Sequence, residues 1–199
     1  SLYYQNVRGL RTKSSSFFSA VCECEYNIIC LSETWLNDSI PNSAYFPDCY
    51  SVYRSDRVVP GKATARGGGC LIAVSNAFKV IRRRDLEQYP ESVWIEIHRL
   101  SGPNLIVGVH YFPPLFNPSE LSQYLLSLEP LLDRHCDILM LGDFNLPHFE
   151  AQQLSPAISQ PSYGLNGVNC LRDFADFMSL SQVNTAPNHR GQFLDLCFV

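Results

Sequence analysis

Short apolar runs, each closing on a polar residue, recur along the chain. Leu2–Gln5 leads into Asn6, Asn27–Ser32 into Glu33, Leu105–His110 into Tyr111, and Ile138–Gly142 into Asp143. These runs are too short for helices and rich in Ile, Val, Leu and Tyr, so the pattern predicts strands. Further strands are predicted at Tyr50–Arg54, Cys70–Ser75, Phe78–Arg82, Ser92–His98 and Phe193–Phe198. Helical periodicity marks two other stretches. Asn117-Pro118-Ser119-Glu120 has the form of a capping box and opens a stripe of Leu121, Tyr124, Leu125, Leu128, Leu131 and Leu132, which Pro130 should kink or shorten. Cys170–Leu180 places Leu171, Phe174, Phe177 and Met178 on one side, and a weaker helix is predicted over Ser16–Glu25. Pro60–Gly69 reads as an exposed loop and Gln152–Asn169 as a long irregular connection, and neither divides the chain. Strands that alternate with helices and then follow one another predict one domain, an α/β fold of two packed sheets with helices outside.

Composition narrows the class. A chain of 199 residues, 46 % hydrophobic and 17 % charged, supports one α/β domain and excludes disorder. No run approaches the roughly 18 apolar residues of a membrane span. The segment Ser1–Asn6 has neither the basic flank nor the apolar stretch of a signal peptide. It begins inside a predicted strand without an initiator Met, as a fragment of a longer polypeptide would. The net charge is −4, and it is uneven: residues 1–100 hold 12 basic and 10 acidic residues, residues 101–199 hold 3 and 9. A protein that binds nucleic acid by counterion release alone would be basic, whereas an enzyme whose acidic cluster holds a divalent cation need not be. Of eight cysteines, Cys30, Cys70 and Cys197 lie within apolar runs and no zinc-type spacing occurs, which predicts reduced, intracellular thiols.

In open α/β sheets ligands bind beyond the carboxyl ends of strands. Asn6, Glu33, Tyr111 and Asp143 stand at such ends, with Asn145 two residues on. Each alone has a structural explanation, as a turn residue or a half-buried aromatic. Together they form a set with a hard carboxylate ligand, a second carboxylate, two amides and a phenol. That set suits Mg²⁺-assisted phosphoryl chemistry. Oxygen ligands hold the cation, Asp receives a proton from water, and Asn and Tyr orient phosphate oxygens without adding negative charge.

Five ordered motifs, Gln5-Asn6-Val7-Arg8-Gly9-Leu10, Leu31-Ser32-Glu33-Thr34-Trp35-Leu36, Arg66-Gly67-Gly68-Gly69, Tyr111-Phe112-Pro113-Pro114 and Gly142-Asp143-Phe144-Asn145, resemble the endonuclease/exonuclease/phosphatase superfamily over essentially the whole chain. Within it, the Asn-Val-Arg-Gly-Leu, Ser-Glu-Thr-Trp-Leu and Gly-Gly-Gly blocks resemble the apurinic/apyrimidinic-like endonuclease domain of non-LTR retrotransposons. So does the later Leu171–Phe177 helix followed by Gly191–Leu196. The resemblance implies a four-layered α/β sandwich of two mixed β-sheets, deoxyribonuclease I-like. It implies Mg²⁺-dependent phosphodiester hydrolysis, with Mn²⁺ as a substitute. Glu33 would be the principal metal ligand, supported by Asn6. Tyr111 would bind the scissile phosphate, Asp143 position or deprotonate water, Asn145 hold the phosphate, and Asp195 orient a histidine. The implied partners are double-stranded DNA, nicked to prime reverse transcription, and a downstream reverse transcriptase domain in the same polypeptide. The implied location is the nucleus.

Two departures qualify the resemblance. Arg8 stands where many superfamily members carry an acidic residue, and the chain stops at Val199 before the family's Ser-Asp-His motif. The domain therefore reads as truncated at both ends. The 199 residues alone are expected to be weakly active or inactive, and a longer polypeptide active. Elsewhere, Arg82-Arg83-Arg84 is a candidate DNA track, extended by Arg54, Arg57, Lys62 and Arg66. The tip around His189 and Arg190 reads first as a turn and second as a groove contact, His148 as a site neighbour, and Trp35 and Trp94 as core. Two rival readings remain: a phosphomonoesterase of the same superfamily acting on inositol phosphates or lipid headgroups, and a decayed, inactive DNA- or protein-binding remnant.

Overall fold

The computed structural model describes residues 1–58, 67–114, 116–132, 135–147, 149, 162–188 and 190–199, without the side chains of 162–165. Nine strands and three α-helices follow one another as β1 (Leu2–Asn6), α1 (Ser14–Glu23), β2 (Ile28–Ser32), β3 (Tyr50–Ser55), β4 (Cys70–Ser75), β5 (Lys79–Arg82), β6 (Ser92–His98), β7 (Asn104–Tyr111), α2 (Pro118–Leu126), β8 (Cys136–Asp143), α3 (Ser162–Phe177) and β9 (Asp195–Phe198). The strands form two mixed sheets, in the orders β1-β2-β4-β3 and β5-β6-β7-β8-β9. β1 runs parallel to β2 and β7 parallel to β8; all other pairings are antiparallel.

The side-chain alternation of the strands builds the layers. Ile28, Cys30, Ile72 and Val74 of the first sheet meet Val93, Ile95, Val107 and Val109 of the second in a buried core between the sheets. On the outer face of the first sheet, Ile29, Leu31, Leu71 and Ala73 pack with Val21 of α1, Tyr45 and Phe46. On the outer face of the second, Trp94, Ile106, Met140 and Phe198 pack with Leu121, Tyr124 and Leu125 of α2 and Val168, Leu171 and Phe174 of α3. The result is the expected helix–sheet–sheet–helix sandwich. All eight cysteines are free thiols. No helix among the described residues is long and apolar enough to cross a membrane.

The helices differ from expectation in instructive ways. Asn117 caps α2, its side-chain oxygen accepting the Ser119 N–H at 3.0 Å, but the α-helix stops at Leu126 and a 3₁₀ turn at Glu129–Leu131 accommodates Pro130. Leu128 and Leu131 stay in the core, while Leu132 is turned outward. α3 begins at Ser162, inside the stretch expected to be irregular. Gly164, Asn166, Gly167 and Asn169 are poor helix formers, yet the helix buries Val168. It also brings Gly167 so close to Leu146 and Phe116 that a Cβ would lie 3.1 and 3.3 Å from their side chains. Tertiary packing thus overrides local propensity. At its other end Phe177 is exposed, not core-facing.

Candidate active site

The register of the second sheet sets one half of the site. Tyr111 pairs with Asp143, and Asp143 with Asp195, so three strand-end residues occupy one rung across β7, β8 and β9. The first sheet supplies the other half. Asn6 pairs with Ser32 at the ends of β1 and β2, and the two outgoing chains stay together: Val7 N–H bonds Ser32 O, Gly9 N–H bonds Glu33 O, and Leu10 N–H bonds Thr34 O, at 3.0, 2.7 and 3.0 Å. Gly9 makes this approach feasible. Its φ is +90°, and a Cβ there would lie 2.6 Å from the Trp35 ring.

The two halves meet through one amide. Asn6 Nδ2 donates to Glu33 Oε1 at 2.9 Å and to Asp143 Oδ2 at 2.8 Å. The indole N–H of Trp35 takes the second oxygen of Glu33 at 3.2 Å. Asp143 Oδ1 accepts the Asn145 N–H at 3.1 Å, and Asn145 Nδ2 donates to Phe112 O at 2.8 Å. Glu33, Trp35 and Asn145 all have left-handed φ, +52°, +56° and +49°. Such torsions persist where the surroundings impose them, and they cluster at functional sites. A second link between the sheets was not foreseen. The Tyr4 hydroxyl donates to Asp195 Oδ1 at 2.6 Å and lies 2.9 Å from Ser32 Oγ. The strand period offered the signal, since Tyr4 lies two residues before Asn6 and so on the same face.

The cleft these residues line has a volume of about 650 Å³ and includes Asn6, Arg8, Glu33, Asp143, Asn145 and Asp195. It is electrostatically unbalanced. Burial, then the charges of Asp195 and Glu33, push the Asp143 carboxyl up to about 7, against the pull of the Asn145 and Asn6 hydrogen bonds. Burial also raises Asp195, opposed by the Tyr4 hydroxyl. Burial foremost, with Glu33 next, pushes the Tyr111 phenol up to about 12, so it remains a donor at neutral pH. Excess negative charge in a cleft of oxygen donors fits a hard cation. Mg²⁺ keeps much of its water and takes one or two carboxylates, so Glu33 and the Asn6 amide beside Asp143 suit it. Among the described residues no three His, Cys, Asp or Glu side chains form a closed metal cage.

The basic residues are placed differently from expectation. Arg83 is buried, bridging Asp85 and, at 2.8 Å, Glu96. Arg82 is paired with Glu87 at 2.9 Å and donates to Arg54 O. Arg54 itself bonds Asp56 and the carbonyls of Asn37 and Ile40. These guanidinium groups hold loops through their ion pairs and carbonyl contacts, a role their reading as a DNA track did not include. Arg84 remains exposed at the same sheet end as Tyr111 and Asp143, and Arg190 is exposed beside a turn in which Asn188 Oδ1 accepts its N–H. Lys62, Arg66, His148 and His189 lie outside the described residues. Trp94 is fully buried, while Trp35 is half-buried against the site. Arg83→Ala is expected to cost about 2 kcal/mol in urea denaturation because it removes the charged donor to Glu96 Oε2 and leaves Glu96 with Asn104 Nδ2. Arg84→Ala is expected to leave the fold unchanged and lower the salt slope of DNA binding by about one.

The two sheets bring Asn6, Glu33, Asp143, Asn145 and Asp195 to one acidic cleft, with Tyr111 on the rung beside it. Residues 5–195 match the model of the Endonuclease/Exonuclease/phosphatase family, and the chain belongs to that family. No curated protein matches its sequence. Among solved structures it is similar to the endonuclease domain of TRAS1, a telomere-specific non-LTR retrotransposon, with TM-score 0.68 and 15 % identity over 98 % of this chain and 82 % of that one. It is also similar to the AP endonuclease LMAP of Leishmania major, with TM-score 0.66 and 12 % identity over 99 % and 77 %. A third is the 3′ phosphatase NExo from Neisseria bound to a product DNA hairpin, with TM-score 0.58 and 16 % identity over 100 % and 85 %. At these identities the likeness is one of fold.

Proposed function

We propose that the chain is the Mg²⁺-dependent DNA endonuclease domain of a non-LTR retrotransposon polyprotein. The observation that carries this reading is the Asn6 amide shared between Glu33 and Asp143, opposite the rung of Tyr111, Asp143 and Asp195. Glu33, with Asn6, would hold the cation, which when bound neutralises phosphate charge and acidifies water. Asp143, held by Asn6 and the Asn145 N–H, accepts the proton of the attacking water. Tyr111 and Asn145 direct donors at the phosphate oxygens, and Asp195 holds its orientation through Tyr4. Exposed Arg84 and Arg190 meet the duplex backbone. On this reading the nick leaves a 3′-hydroxyl that primes a reverse transcriptase in the same polypeptide, in the nucleus.

Nicking of supercoiled plasmid in Mg²⁺ or Mn²⁺ tests this, using the polypeptide that carries these residues. Nicking that disappears in Glu33→Ala supports it, and unchanged nicking in both Glu33→Ala and Asp143→Ala removes the site assignment. Hydrolysis of a soluble inositol phosphate with DNA left intact would establish the phosphomonoesterase instead. DNA binding without cation binding in calorimetry would establish an inactive remnant.

A further inference from the structure

One face of the Tyr111 ring is covered by a cation. Arg57, two residues beyond β3, places its guanidinium carbon 5.3 Å from the ring centroid. It is fixed there by Glu91, the residue before β6 in the opposite sheet, whose Oε1 accepts from Arg57 Nε and lies 2.6 Å from Nη2. Glu91 is tied on its other sides as well. Its Oε2 accepts the Gly69 N–H at 2.8 Å, and its backbone carbonyl accepts the Tyr111 N–H at 3.0 Å. Gly68, with φ +70°, passes so close that a Cβ would lie 2.1 Å from Glu91 Oε2. The carbonyls of Gly68 and Gly69 then accept the N–H groups of Trp35 and Thr34, beside Glu33. The ion pair is mostly shielded, with side-chain exposures of 23 % for Arg57 and 10 % for Glu91. It therefore joins the phenol of one sheet to the Glu33 loop of the other.

We propose that Arg57 is a positioning residue for nicking that acts through Tyr111. The inter-sheet core packs against part of the ring, and the clamped guanidinium closes over one of its faces through a cation–π contact. Without that cover the phenol gains freedom, and its hydroxyl no longer meets the phosphate in a single orientation. Displacements of about 1 Å at a reacting group can cost up to roughly 10²-fold in rate. This inference rests on the endonuclease reading above.

A double-mutant cycle tests it, with plasmid nicking measured for Arg57→Ala, Tyr111→Phe and the pair. Arg57→Ala is expected to lower kcat about 10-fold, with KM for DNA and Mn²⁺ affinity unchanged, and to lower nothing further in the Tyr111→Phe background. Arg57→Lys keeps the ion pair with Glu91, so it preserves the fold, and it is expected to lose part of the same kcat. Additive losses, or a rise in KM at unchanged kcat, overturn the proposal while the endonuclease reading stands. A wild-type polypeptide that does not nick overturns both.

Discussion

Asp143→Asn is expected to reduce nicking by about 10³-fold or more while making the metal-free fold more stable. On the proposed endonuclease reading the first effect follows from removing a proton acceptor that is in place before the reaction; such groups contribute roughly 10²- to 10⁴-fold. The second follows from the environment that makes it one. In the folded chain burial and the neighbouring carboxylates raise its carboxyl from 3.8 to about 7. The folded state therefore binds a proton that the unfolded chain releases, and stability falls as pH rises from about 4 to 7. Above pH 7 the ionised carboxylate costs on the order of 4 kcal/mol. An amide carries no such cost and retains the Oδ1 acceptor for Asn145, while its NH2 forfeits the hydrogen bond from Asn6 Nδ2, a smaller loss of about 1 kcal/mol. Urea denaturation at pH 8 with chelator should show the variant more stable, and Mg²⁺ should narrow the difference by stabilising only the wild type. A variant that is less stable at pH 8, or one that nicks normally, contradicts this account.

The opposite pH dependence is expected from His110. Its ring is fully buried between β7 and α2, with Nε2 2.7 Å from the Tyr124 hydroxyl and Nδ1 3.2 Å from Leu141 O. The Trp94 indole donates to the same hydroxyl at 2.7 Å. The Tyr124 hydroxyl therefore donates its hydrogen bond to Nε2, and Nδ1–H donates to the carbonyl. Both nitrogens are satisfied only in the neutral ring, and burial lowers His110 from 6.5 to about 4. Here the unfolded chain binds the extra proton, so stability is lost as pH falls from 6.5 to 4, by roughly 3 kcal/mol. In the metal-free wild type, Asp143 gains stability over nearly the same interval, so the two contributions largely cancel. In Asp143→Asn the His110 loss is no longer opposed by Asp143. Denaturation midpoints at pH 7 and pH 4.5 should therefore diverge strongly in the variant and weakly in the metal-free wild type. A flat profile in the variant would contradict the assigned tautomer.

The strands were legible because their signal is local. Cys70–Ser75 and Ser92–His98 match their elements residue for residue, and the polar residue closing each apolar run marked the candidate site. Asn6, Glu33, Tyr111 and Asp143 could be singled out before any coordinates, since strand ends gather at one edge of a sheet, whereas Asp195, inside a predicted strand, came from the family resemblance alone. The pairwise commitments could not be read. Arg82, Arg83 and Arg84 are alike in sequence, and what separates them is which carboxylate the fold brings near. Glu87 and Glu96 claim the first two and leave the third exposed. Tyr4 went unread and Arg57 was read only as a phosphate contact for the same reason, because their partners Asp195 and Glu91 lie 191 and 34 residues away. The early start of α3 was hidden by glycine and asparagine, whose helix is held by contact with Leu146 and Phe116.

The shared rung of Tyr111, Asp143 and Asp195 has an arithmetic consequence. Pleating turns successive residues to opposite faces, so a slip of β8 by one position would aim Phe144 or Gly142 into the cleft and bury the aspartate among helices. Partial misalignment has no intermediate form in such a lattice. The carboxylate at position 143 is therefore kept in the cleft or lost from it in whole steps.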